Sequence, residues 1–70
     1  MMKATDAKVE WNSEKKHWQV VIQAGSEVIR RQCAKTDRET GEAELRNLAI
    51  ATAKDEGYDL DPSRVSVVPV

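Results

Sequence analysis

Seventy residues with a net charge of −1, one third of them charged and only two Trp and one Tyr among the aromatics, set narrow limits. A chain this short hides only ~60% of its unfolded surface, so it has a small core in which each Trp counts. The lone cysteine excludes an internal disulfide framework and a multi-cysteine zinc site, and no apolar run approaches the ~20 residues of a membrane span. No signal-peptide pattern follows Met1-Met2-Lys3, so the sequence reads as that of a soluble, cytoplasmic protein. Charge is uneven: residues 8–38 carry a balance of +3, residues 39–70 a balance of −4, and the first seven cancel. A mildly basic sheet is thus expected beside an acidic helix and tail.

Residues 1–7 are polar and without period, which predicts a disordered tail ahead of a single domain over 8–70. Lys8-Val9-Glu10-Trp11 alternates polar and apolar, the mark of a half-buried strand. Asn12 to Lys16 is a polar turn, and with Glu14-Lys15 at its tip Trp11 faces Trp18 and Val9 faces Val20. The strand Trp18 to Gln23 carries Trp18, Val20 and Ile22 on one face, which a helix must cover. Gly25-Ser26 suits a two-residue primed turn. That turn sets Ile29 opposite Ile22 and Cys33 opposite Trp18, and it points Arg31 at the core side. Either a bulge relieves Arg31, or its head snorkels to water from the sheet margin.

Thr36-Asp37-Arg38-Glu39 has the spacing of a capping box, with Asp37 and Thr40 as rival caps. The helix follows: Leu45, Leu48, Ala49, Thr52 and Ala53 form its apolar stripe, Glu39, Glu42 and Glu44 suit its amino end, and Gly57 stops it. Ala43, Ala49, Ala51 and Ala53 are expected to let the helix lie close to the sheet. Tyr58 and Leu60 plug one end of the core, and Asp61-Pro62-Ser63 is a turn. A last strand runs from Arg64 to Val68, with Val65 and Val67 inward and Pro69 ending it. The predicted fold is therefore α+β in the order β-β-β-α-β: a three-stranded antiparallel meander covered on one face by a single helix, with a short C-terminal strand. A right-handed crossover places that strand beside the first, in spatial order 3-2-1-4; the alternative sets it beside the third strand or against a second molecule.

Chemistry-bearing motifs are few. His17 lies just after a turn with no second ligand in its strand, and Asp55, Glu56, Asp59 and Asp61 lack the spacing and central Gly of a calcium loop. There is no phosphate loop, no Gly-x-Ser-x-Gly and no Cys-x-x-Cys. No catalytic activity, metal or cofactor is expected. Two surfaces stand out as binding candidates. The apolar terminal strand, through Val65, Val67 and Val68, offers an edge for association with a protein partner or a second copy. The outer sheet face is the alternative, a nucleic-acid site. It would display Asn12, His17, Gln19, Val21 and Gln23 from the first two strands, then Val28, Arg30 and Gln32. With Lys15 and Lys16 at the rim, Gln and Arg could read base edges while lysines hold phosphates.

The layout Trp18-x-Val20, Gly25, Thr36 to Glu39, Ala49 to Ala53 and Gly57 resembles small bacterial domains of unknown function, built as a short sheet under one helix. That resemblance implies a fold and no activity. In outline the meander, with Trp18 on its central strand and a helix behind, is also similar to the arm-binding domains of tyrosine recombinases and to plant ethylene-response-factor domains. This second likeness implies DNA reading by the sheet. The chain departs from it in its acidic pI, its few basic residues on the sheet and its fourth strand.

Overall fold

A computed structural model describes residues 2–33 and 36–68. The elements are β1 (Met2–Lys3), β2 (Asp6–Asn12), β3 (His17–Ala24), β4 (Glu27–Cys33), α1 (Glu42–Asp55), β5 (Tyr58–Asp59), a 3-10 turn (Pro62–Arg64) and β6 (Val65–Val67). The fold is α+β. Four strands form a sheet in the order β4-β3-β2-β6 under the one helix, and β1 and β5 make a separate parallel pair. The last strand runs parallel to β2, with Ala7 against Val65 and Val9 against Val67, so the expected 3-2-1-4 order holds. Pro69 and Val70, expected to end and follow that strand, lie outside the described residues.

Local chemistry sets both hairpins. Asn12 Oδ1 accepts from the N–H groups of Glu14 and Lys15, and Lys16 takes the left-handed conformation that closes the first turn. Trp11 then pairs with Trp18 and Val9 with Val20. The two indoles meet edge to face at 5.6 Å. In the second turn Gly25 has φ +62° while Ser26 stays at negative φ, the primed form with Gly at the first central position. The ladder beyond it is unbroken from Ala24–Glu27 to Trp18–Cys33. No bulge relieves Arg31. Its guanidinium instead reaches across to the end of the helix and binds Asp55 at 3.1 Å and Glu56 at 2.8 Å.

Two expectations are corrected at the amino-terminal side. The tail ends earlier than residue 7: Met2–Lys3 pairs with Tyr58–Asp59, and Ala7 is buried in β2. The capping box at Thr36 does not form, because the Thr36 hydroxyl accepts from Trp18 N–H and donates to Cys33 O at the hairpin's end. Asp37 and Thr40 bond to each other in a turn, and the helix starts after Gly41 with no side-chain cap. Gly57, at φ +90°, does stop it.

The core joins Val9, Trp18, Val20 and Ile22 of the sheet to Leu45, Ala49 and Ala53 of the helix, with Ala7, Leu60 and Val65 around them. Leu48 and Thr52 are only half-buried, and Ala43 and Ala51 face solvent. Ala49 and Ala53 alone bring the helix down onto the strands. The helix packs over β6, β2 and β3 and leaves β4 largely uncovered. No described helix is long and apolar enough to cross a membrane.

Candidate functional site

The outer sheet face is a bonded polar ladder. His17 Nε2 lies 2.6 Å from Gln32 Oε1, Gln32 Nε2 donates to Gln19 Oε1 at 3.0 Å, and Gln19 Nε2 donates to Glu10 Oε1 at 2.7 Å. Lys8 closes the row on the other Glu10 oxygen at 3.4 Å. A carboxylate only accepts, so each amide is oriented in turn and the His17 Nε2–H must donate. The bond from Gln19 holds the Glu10 carboxyl below its usual range; desolvation opposes this, and Lys8 and Arg30 add to it. Sequence reasoning omitted Lys8 and Glu10 from this face, although the alternation Lys8-Val9-Glu10-Trp11 places them there. Glu10 therefore stands in the middle of the surface proposed to meet phosphates. Lys15 and Lys16 are exposed in the turn, Gln23 and Arg30 are exposed on their strands, and Gln19 is half-buried.

The terminal-strand candidates separate. Val65 belongs to the core, Val67 is half-buried and Val68 is exposed, its N–H donating to Val9 O. As an edge, β6 is only three residues long.

The longer edge is β4, seven residues with no strand on its far side among the described residues. Neighbours in an antiparallel ladder alternate between bonding across the pair and facing away from it. The two-residue turn makes Ala24–Glu27 a bonded pair, so Val28, Arg30 and Gln32 direct their N–H and C=O groups outward. The remaining bonds follow the same alternation, since Trp18 N–H points to the β4 side and Val9 O to β6. Beside this edge runs a groove between β4 and α1, lined by Cys33, Thr36, Thr40, Glu44, Leu48 and Thr52 with Gln32 at the rim. Sequence reasoning placed the strand that is β4 but missed its edge as a candidate site, because the lateral offset of a helix has no signature in a linear pattern.

The titratable groups near the edge have local roles. Burial pushes the Cys33 thiol up, which lowers its thiolate fraction. Cys33 faces the helix side and His17 the opposite side, so the imidazole cannot serve as its base. Tyr58 donates to Glu27 at 3.3 Å, and desolvation followed by the charge of Glu27 raises its pKa. Asp61 caps the 3-10 turn through Ser63, whose hydrogen bonds lower its pKa. Asp55 and Glu56 serve Arg31, and no cluster of three or more metal-ligating side chains occurs among the described residues. Neither a family model, nor a curated protein, nor a solved structure matches the chain.

Proposed function

We propose that this chain is a small, non-catalytic association module of the cytoplasm that receives a strand from a protein partner along β4. One observation carries the reading: a seven-residue strand with an unpaired edge lies beside a helix that has shifted off it. An added strand would satisfy the outward groups of Val28, Arg30 and Gln32. It would also cover the half-exposed Ile29 and Cys33 next to Leu48. Main-chain bonds would supply affinity and the inward side chains specificity. The surface is marked rather than sealed, since Glu27, Arg30 and Arg31 discourage indiscriminate pairing.

Arg30→Pro tests this directly. The Arg30 N–H faces away from β3, so proline is tolerated in the fold but takes a donor from the edge and adds bulk there. Photo-cross-linking from position Gln32 in the source cells should capture a partner with the wild type and not with Arg30→Pro. A partner caught equally by both would refute the edge. The rival nucleic-acid reading predicts amide shifts confined to residues 12–32 on adding duplex DNA, steeply weakened by salt. Glu10 and Asp6 beside Lys8 argue against it.

A further inference from the structure

We infer that the strand received by β4 is the same strand of a second copy, antiparallel, with Ile29 facing Ile29 across a two-fold axis. This rests on the edge reading above. Only residues with outward backbone groups can bond across the new junction, so Val28, Arg30 and Gln32 must pair among themselves. Few two-fold registers obey that rule. Centring on Arg30 sets that guanidinium against its own copy, and centring on Arg31 does the same with the next one; like charges directly opposite are destabilising. Centring on Val28 pairs only three residues of each strand.

Centring on Ile29 pairs Val28 with Arg30 through main-chain bonds, twice, and sets Glu27 opposite Arg31, twice. The Glu27–Arg31 and Ile29–Ile29 positions fall on the non-bonded pairs, where side chains approach most closely. The charges suit this register. Among the described residues Glu27 has no cationic partner and only the Tyr58 hydroxyl bonds its carboxylate. Arg31 gives one N–H to Glu56 and one to Asp55, leaving others of its five for the incoming carboxylate. On the outer face the Arg30 stem would cover Val28, now 52% exposed. The two Ile29 side chains would meet on the helix side, where α1 leaves the sheet bare. One sheet then runs through both copies, and no long edge remains open.

The test is light scattering coupled to size exclusion from micromolar to millimolar concentration. The wild type should rise to twice the chain mass, and Arg30→Pro should remain a monomer with an unchanged circular dichroism spectrum. Glu27→Arg should weaken the dimer by roughly tenfold or more. Arg31→Glu should do likewise, and an equimolar mixture of these two variants should dimerise again, because each supplies the charge the other lacks. The double variant E27R/R31E exchanges both charges in one chain and should dimerise again. Glu27→Arg, which leaves the Arg31 bridges to Asp55 and Glu56 in place, carries the test if Arg31→Glu folds poorly. Dimers that ignore the charge exchange would overturn this register. A wild type monomeric at millimolar concentration overturns the second copy but leaves the edge to be decided by the cross-linking comparison. A dimer indifferent to Arg30→Pro would overturn the edge itself.

Discussion

At the scale of single residues, Trp18 does the most. Its ring closes the core against Trp11, its Nε1–H donates to Asp37 O at 2.6 Å, and its backbone N–H holds the Thr36 hydroxyl. One residue therefore anchors both the sheet and the loop that leads to the helix. Trp18→Ala should lose ~3–5 kcal/mol, set against a total of about 4–10 kcal/mol for a domain of this size; urea unfolding followed by circular dichroism measures it. Glu10 is a second residue with a readable signature. Its folded pKa lies below the ordinary value, so its contribution is complete above the ordinary glutamate range and drains away as pH falls through the folded value. Glu10→Gln should therefore be less stable than wild type at neutral pH, and the gap should close below about pH 4. Urea midpoints for both proteins across that range decide it; a gap that persists in acid would mean the ladder acts through shape alone.

Among the elements, the helix shows how periodicity and packing diverge. Leu45 and Leu48 occupy the same stripe in the sequence, yet Leu45 is 1% exposed and Leu48 is only half-buried beside the open groove. The difference follows from the helix lying over β6, β2 and β3, which puts one flank of its stripe against nothing. Leu45→Ala should lose ~2–5 kcal/mol and Leu48→Ala distinctly less, compared by thermal melting of both variants. Equal losses would mean that the groove is filled in solution. Arg31 belongs to this scale as well. Its exposed pairs with Asp55 and Glu56 are each worth ~0–1 kcal/mol, so they steer the end of the helix toward β4 more than they hold it there.

For the molecule as a whole, one apolar cluster ties the central strands to the helix, while β1 and β5 form a two-residue pair at the margin. Local openings should therefore be graded. In native-state hydrogen exchange the amides around Val9, Val20 and Ile22 should be the slowest. Those of Met2–Lys3 should exchange through local fraying, and those of Val28, Arg30 and Gln32 should exchange fast in the monomer because they point away from β3, where no strand lies among the described residues. Slow exchange at these three positions that disappears on dilution would report the edge being occupied.

The sequence by itself determined the α+β class, the register of the first hairpin and the inward face of Trp18, Val20 and Ile22. It left open a bulge at Arg31 and the neighbour of the last strand, which the structure decided. Alternation with period two sets Trp11 against Trp18 and Val9 against Val20, and a one-residue slip would turn Trp18, Val20 and Ile22 to water. It also marked the helix and its stop at Gly57, since only glycine takes φ +90° without strain. Tertiary structure alone decided where Thr36 spends its hydroxyl, that Met2–Lys3 finds a strand at Tyr58–Asp59, and that the helix sits to one side of the sheet. Those outcomes depend on contacts between segments far apart in the chain, where a hydroxyl or a backbone edge chooses among partners that no local pattern ranks. The uncovered β4 is one such outcome, a consequence of where the buried side chains of the sheet and the following segment close around Leu45, Ala49 and Ala53 of the helix.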